Sequence, residues 1–139
     1  MKINRFKAIP FLIAVALMLL LALQATLKTI DLINSTENKI VIDGALNNAA
    51  SLAGVPLFGG IFVLFLIGLM SGRTLAWVPR IVFIVIGIMT IIAFFLGFGV
   101  DTALKSELIN NGYIECVSER ELTLKYSSKT YVLPPETCD

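Results

Sequence analysis

The sequence predicts a membrane all-α fold, in which three transmembrane helices precede a small, disulfide-stapled, α/β-hairpin-like extracytoplasmic C-terminal cap. Hydrophobic residues form 57% of the 139-residue chain, against about 45–50% in ordinary soluble domains. Charged residues form 15% and gather at the ends of long apolar runs. Residues 101–139 differ from the rest, because they are polar and contain both cysteines.

The third apolar run gives the clearest span. Residues 81–100 are twenty residues without a charge, between Arg80 and Asp101. A helix needs about 20 residues to cross the hydrocarbon core of a bilayer. Pro79 precedes the run, and proline suits the first turn of a helix because its missing N–H is not needed there. We predict a span over residues 79–100.

The first apolar run, residues 8–27, follows a basic start. A secretory signal peptide is the competing interpretation. The apolar stretch 9–23 is at or beyond the long end of the usual hydrophobic region of about 7–15 residues. Leu23 also fits a small-residue cleavage site poorly. We therefore expect the first span to be retained, over residues 8–30.

The second span is predicted over residues 54–71, which are apolar and rich in glycine. The small, Asn-rich residues 44–54 before it predict a lead-in at the membrane interface, whose helix continues into the span. Pro10 and Pro56 lie near the starts of the first two spans, so we expect no kinks inside them. The chain thus divides into a three-span region, residues 1–100, and a cap, residues 101–139, while the fold of the loop before the second span stays open.

The charges predict the orientation of the chain in the membrane. Residues 28–43 and 101–139 together hold six basic residues and all ten acidic ones, whereas the other segments hold five basic residues and no acidic one. Lysine and arginine near the ends of spans stay in the cytoplasm. We predict a cytoplasmic N-terminus and an outward C-terminus, and the cytoplasmic topology signals are Lys2, Arg5, Lys7, Arg73 and Arg80.

The tail combines a short helix with strands. Leu104 and Leu108 lie on one side of a helical continuation that Asp101 caps. Asn111 and Gly112 end it, since asparagine and glycine readily adopt the left-handed conformation at helix ends. Alternating apolar and polar residues predict short strands near 113–117, 122–126 and 130–133. Strands this short need further support to fold in water.

The two cysteines, Cys116 and Cys138, offer that support. Paired cysteines in an oxidising compartment usually form a disulfide, and closing this loop is worth roughly 3 kcal/mol in the chain-entropy estimate. Free or intermolecular thiols, and a chemical role, are the alternatives. A metal site wants three or four ligands and a catalytic cysteine wants a nearby base, but the sequence has no histidine.

The tail also resembles a known family. The segments Gly112-Tyr113-Ile114-x-Cys116 and Lys129-Thr130-Tyr131-Val132, with the closing Cys138, are similar to the C-terminal signature of a family of short enterobacterial inner-membrane proteins of unknown function. Its members have several spans followed by this two-cysteine tail. The resemblance implies a bacterial inner membrane, a periplasmic cap and a disulfide. It brings no activity and no catalytic residue.

Small residues within the spans predict close helix packing. Gly68 and Gly72 form a GxxxG pair, and Ala93 and Gly97 form a small-xxx-small pair. These residues pack the chain's own helices or form a docking face for a partner helix or a second copy, so the oligomeric state stays open. The predicted packing residues are Gly68, Gly72, Gly87, Thr90, Ala93 and Gly97.

The residue inventory argues against an enzyme. The chain has no histidine and no charge in the middle of a span, so general acid–base catalysis and an intramembrane ion path lack their usual residues. A net charge of +1 provides no basic face for nucleic acid. We expect no catalytic residue, metal or other cofactor.

The expected partners are the lipid bilayer and another membrane or periplasmic protein. By analogy with known membrane immunity proteins, we interpret the chain as a small interaction protein, in one form an immunity protein against a membrane- or periplasm-acting toxin. The alternative is an accessory subunit or regulator of an envelope or transport complex.

Overall fold

Three long helices form most of the molecule. A computed structural model of the chain describes residues 5–33, 37–72, 76, 78–122, 127–135 and 137–138. Each helix in it is long and apolar enough to cross a membrane. The central helix packs against both of the others. The three helices are α1 (Arg5–Ile33), α2 (Ala45–Ser71) and α3 (Arg80–Asn110).

The helices extend beyond the apolar runs of the sequence. α2 begins at Ala45, so the Asn-rich lead-in is helical and Pro56 lies well inside the helix. There the proline removes the hydrogen bond that its N–H would donate to the carbonyl of the preceding turn. Pro79 is instead the N-cap of α3. The predicted helical continuation after residue 100 is present, but Asp101 does not cap it, because α3 runs through this position without a break to Asn110.

A three-stranded antiparallel sheet completes the structure. Its strands are β1 (Lys39–Asp43), β2 (Ile114–Leu122) and β3 (Ser127–Val132), in the spatial order β1-β3-β2. The tail supplies only two of the three strands, and the predicted strand near 122–126 falls mostly on residues 123–126, which lie outside the described residues. The third strand, β1, comes from the loop between α1 and α2, where no strand was predicted.

The sheet packs one face against the end of α3. Ile40 and Tyr131 are register partners, so their side chains lie on the same face. Both are buried in a core cluster with Ile42, Leu104 and Leu108. The two leucines are one helical turn apart, as predicted, and form the helical side of this core. The last two turns of α3 therefore belong to the cap.

Part of the opposite face of the sheet, around Cys116 and Thr130, is covered by the disulfide and its chain segment. Cys116 is the register partner of Thr130, and both side chains are buried. The predicted disulfide is present, joining Cys116 to Cys138 with a Cα–Cα distance of 5.6 Å. The segment after β3 is therefore tied back onto the outer face.

The sheet also fixes how the chain connections are placed. β1 follows α1, while β2 and β3 follow α3. Because β1 and β3 exchange hydrogen bonds over Lys39–Val132 to Asp43–Ser128, the first loop and the tail meet at the same end of the three helices.

Candidate functional site

A buried polar cluster lies where the helices meet the cap. Its centre is Asn48 in the first turn of α2, with 7% of its surface exposed. The Asn48 amide donates to the backbone carbonyl of Asp43 and to Oδ1 of Asp101, both at 3.2 Å. The Thr29 hydroxyl lies 3.2 Å from Oδ1 of Asn48, to which it can donate. One asparagine therefore connects α1, β1, α2 and α3.

The negative charge of this cluster lies on Asp101, which is only 2% exposed. Its second carboxylate oxygen accepts a hydrogen bond from Nζ of Lys105, one turn further along α3. A buried carboxylate is costly unless it is paired and hydrogen-bonded, and Asp101 has both kinds of partner. We refer to Thr29, Asn48, Asp101 and Lys105 as the junction cluster.

A second ion pair lies beside the junction cluster, nearer the solvent. Nζ of Lys28 is 3.7 Å from Oδ2 of Asp43, so the end of α1 and the end of β1 attract each other. This pair is partly exposed and its contribution is small, as for most surface ion pairs. The junction cluster is therefore the more buried of these two polar contacts between helices and cap.

The arrangement suits a structural role better than a chemical one. The side chains of the junction cluster bond to one another, and a cleft of about 150 Å³ beside Thr29 and Asn48 has mostly apolar walls, including Leu52 and Val100. Across the described part of the chain, no group of three or more His, Cys, Asp or Glu side chains could hold a metal ion. The cluster can hold the cap in one orientation on the helices.

Two of the predicted packing residues lie at close helix contacts or inside the bundle. A Cβ built on Gly97 would be 2.5 Å from the Cα of Ala49 in α2, so α2 and α3 touch through their backbones at this point. Gly68 is buried in α2. Gly72 is the C-cap of α2, where its φ of 67° is a left-handed conformation that glycine adopts without strain.

The other predicted packing residues, Gly87, Thr90 and Ala93, differ in their surroundings. A Cβ on Gly87 would meet no atom within 4 Å. The Thr90 hydroxyl donates to the carbonyl of Ile86 at 2.8 Å, and Ala93 is half-buried. Whether Gly87 packs against a partner helix stays a prediction.

Two further close contacts involve glycines of α2 that sequence reasoning missed. A Cβ on Gly54 would be 3.0 Å from Cβ of Ala22 in α1, and one on Gly60 would be 2.8 Å from Ile86 in α3. Both lie in the glycine-rich stretch of α2, which was noted in the sequence only as a property of a short span. The number of small residues in α2 is the signal that indicates a central helix.

The predicted topology signals have little described geometry. Lys2 and Arg73 lie outside the described residues, and so do the side chains of Arg5 and Lys7. Arg80 is exposed in the first turn of α3, at the opposite end of that helix from the cap. The orientation therefore stays a prediction.

Sequence comparison gives a family and no activity. No curated protein and no solved structure matches the chain. A family described as proteins of unknown function, DUF1240, matches residues 45–139. The matched region includes α2, α3, the two tail strands and both cysteines. Because the match extends over more than half of the sequence, the chain belongs to the DUF1240 family.

Proposed function

We propose that the chain is a small, non-catalytic interaction protein of the bacterial inner membrane, with its N-terminus in the cytoplasm and its cap in the periplasm. The resemblance of the tail to enterobacterial inner-membrane proteins favours this membrane. Three features of the structure support the proposal: the surfaces of the helices, the pairing of the first loop with the tail, and the exposed apolar side chains of the cap.

The helix surfaces suit a lipid environment. Large apolar side chains are exposed on all three helices, among them Leu21, Met70 and Phe95, and hydrocarbon would cover them at no cost in hydration. Hydroxyls in the helices bond to their own backbone, as Thr26 does to the carbonyl of Ala22 at 2.8 Å. Such bonds satisfy polar groups where water is absent.

The sheet supports the proposed orientation. Since β1 pairs with β3, the first loop and the tail share one compartment, and these two segments hold all ten acidic residues. The positive-inside rule favours the other, purely basic segments for the cytoplasm. A reporter fused after Asp139 that is active only in the periplasm is the expected result, and activity only in the cytosol would reject the topology.

The observation that carries the recognition role is the apolar surface of the cap. Ile114 of β2 is 57% exposed. Val41 of β1 is also exposed and lies on the outer face with Ile114, as the register shows. Exposed apolar patches mark surfaces where other molecules bind, and these two side chains lie on the sheet of the cap.

Immunity to a toxin that acts in the membrane or periplasm is the form of this role that we favour. A compact outward cap on a multi-span anchor has the layout that such a protein needs, which is an argument by analogy. We expect the gene to lie beside a toxin gene, a strain without it to be killed by that toxin, and the intact gene to rescue the strain. Equal survival of both strains would remove the immunity role.

The rescue assay can also test the apolar surface of the cap. Ile114→Gln should lose rescue, because it places an amide in the proposed contact. Ile109→Gln is the matched control, since Ile109 is similarly exposed but lies on α3 and not on the outer face of the sheet. Both variants should reach the membrane in equal amounts, as measured by immunoblot. Rescue by Ile114→Gln at the level of the control would show that the surface is not used.

A second candidate, an accessory subunit of an envelope complex, is favoured by Gly87. Its Cβ position is open, and small residues on a helix surface allow another helix to approach closely. The variant Gly87→Cys, treated with a thiol-reactive bifunctional reagent, should then crosslink to a partner subunit. That subunit should copurify with the chain in mild detergent at a fixed ratio. Recovery of the chain alone would argue against this candidate.

A further inference from the structure

One face of α1 is left uncovered by the other helices. Its residues are spaced three and four apart and therefore lie along one stripe of the helix. The stripe lines an open cleft of about 830 Å³. Its apolar part is Leu20, Leu23 and Leu27, all exposed, and its charged part is Lys28 and Asp31, with Glu37 beyond the end of the helix.

The stripe changes from apolar to charged over the depth of one membrane leaflet. Asp31 is eleven positions after Leu20 in the sequence, which is about 16 Å of helix at 1.5 Å per residue. Half of a hydrocarbon core about 30 Å thick is about 15 Å. If the cap end of α1 lies at the outer headgroups, the leucines line up with the acyl chains and the charges with the headgroups of the same leaflet.

The charged end of the cleft contains both signs. Lys28 has a side chain that is 57% exposed, and its Nζ is 3.7 Å from Asp43, a long ion pair that leaves ammonium hydrogens available. The carboxylates of Asp31 and Glu37 line the same end. One cation and two further acids suit a ligand with a phosphate and an ammonium group, and they suit a purely anionic ligand poorly.

From this we propose that the cleft binds a zwitterionic aminophospholipid, with its phosphate at Lys28, its primary ammonium at Asp31 and Glu37, and one acyl chain along Leu20, Leu23 and Leu27. This inference rests on the proposed membrane insertion and orientation. A primary ammonium donates hydrogen bonds to carboxylates, whereas a choline headgroup has no N–H to donate. A glycerol headgroup lacks the positive charge, so Asp31 and Glu37 repel the anionic lipid.

Native mass spectrometry of the full chain tests the proposal. The chain, released from detergent, is offered equal amounts of phosphatidylethanolamine, phosphatidylcholine and phosphatidylglycerol with identical acyl chains. We expect phosphatidylethanolamine to be retained roughly two- to fivefold over each of the others, the range expected for exposed charge pairs. Equal retention of the three lipids would overturn the proposal.

Variants assign the contacts. Asp31→Asn should bring the retention of phosphatidylethanolamine close to that of phosphatidylcholine. Lys28→Gln should lower the retention of all three lipids, because each has a phosphate. Glu107→Gln is the matched control, since Glu107 is an exposed acid on α3 outside the cleft. An Asp31→Asn variant that behaves like the control would exclude the ammonium contact.

The failure of this inference differs from the failure of the proposed function. If the chain is extracted from membranes only by detergent and yet shows no headgroup preference, the proposed lipid site is wrong. The proposal that the chain is a membrane protein is then kept. If the chain is recovered without detergent in the soluble fraction, both are wrong. A stable dimer that protects the leucine stripe from lipid would assign the cleft to a second copy and reject the lipid site.

Discussion

The Asp101 carboxylate connects α3 to the first turn of α2, and through Asn48 to the end of β1. It accepts hydrogen bonds from the Asn48 amide and from Lys105, so a charge that is almost fully buried is matched on both oxygens. Removing one member of such a set leaves the others buried and unpaired, which costs more than the hydrogen bond itself contributes.

Asp101→Ala should therefore loosen the cap from the helices. We expect a loss of about 1–3 kcal/mol, the cost of leaving buried polar groups unsatisfied, seen as faster hydrogen exchange in β1 and β3. Thr102→Ala is the control, because Thr102 is the exposed neighbour whose hydroxyl bonds to its own helix at 2.9 Å. Equal exchange rates in the two variants would contradict a structural role for the carboxylate.

Tyr131 gives the cap a pH dependence. Burial raises the pKa of Tyr131 above its ordinary value of 10.0, Glu115 and Asp101 raise the pKa further, and Arg120 opposes them. The folded state thus holds the phenol proton more tightly than the unfolded state does. The resulting stabilisation is fully present below the ordinary pKa and is lost as the pH rises through the folded pKa.

We therefore expect the free energy of unfolding of the cap to fall in alkaline solution, and to fall less in Tyr131→Phe. Denaturant titrations in detergent from about pH 9 to about pH 11 bracket the ordinary tyrosine pKa. The difference between the two proteins isolates Tyr131, since lysines titrate in both. Parallel curves for wild type and Tyr131→Phe would reject the assignment.

Sequence patterns at the residue scale identified the two leucines of the cap but not the junction cluster. Leu104 and Leu108 are four residues apart, so their shared face is visible locally. Asn48 was instead assigned to the membrane interface, because its partners Thr29 and Asp101 are 19 and 53 residues away in the sequence. A local pattern contains no information on such pairs.

At the scale of helices, the contact between α2 and α3 depends on the absence of a side chain at position 97. Gly97→Ala places a Cβ against the backbone of Ala49, and backbone cannot rotate away as a side chain can. We expect the helices to separate, with a cost of about 1–3 kcal/mol for overpacking and a lower thermal midpoint by circular dichroism in detergent.

Gly99→Ala is the matched control for that prediction. It makes the same change in the same helix, but a Cβ at position 99 would meet no atom within 4 Å. Alanine also favours a helix over glycine by about 1 kcal/mol, so this variant should be as stable as the wild type or more so. If both variants lost stability equally, close packing at Gly97 would not be the reason.

Strand β1 shows why one element of the fold escaped prediction. It has only five residues, in a loop with three charged residues, and its partner β3 is far away in the sequence. Ile40 and Ile42 do alternate with Lys39 and Asp43, the period of a half-buried strand. That signal was present, but a strand of this length is convincing only when its partner is known.

At the scale of the whole molecule, the disulfide and the junction cluster stabilise two different parts of the cap. The Cys116–Cys138 bond closes a separation of 22 residues over the outer face. The junction cluster lies at the base of the cap, where β1 runs into α2. The three long apolar helices and the cysteine-linked tail could be predicted from the sequence, because apolar runs and cysteine pairs are local or countable properties, whereas the sheet order is not.

Cys138→Ser should weaken the cap by roughly 3 kcal/mol, the chain-entropy value for a loop of this size. We expect faster cleavage of the tail by protease, with unchanged insertion of the helices into membranes. The double variant with Cys116→Ser should match the single one, and reduction of the wild type should reproduce both. Unchanged protease resistance in all three cases would show that the crosslink does not stabilise the cap.

The pairing of β1 with β3 has a consequence for biosynthesis. A ribosome makes β1 before α2 and α3, and it makes the partner strand, β3, only after both of these helices. Ile40 and Ile42 therefore lack their partner strand while two further helices are made. Assembly of the cap is therefore a late event, and a nascent chain arrested before Ser127 should expose the β1 isoleucines to chaperones and proteases.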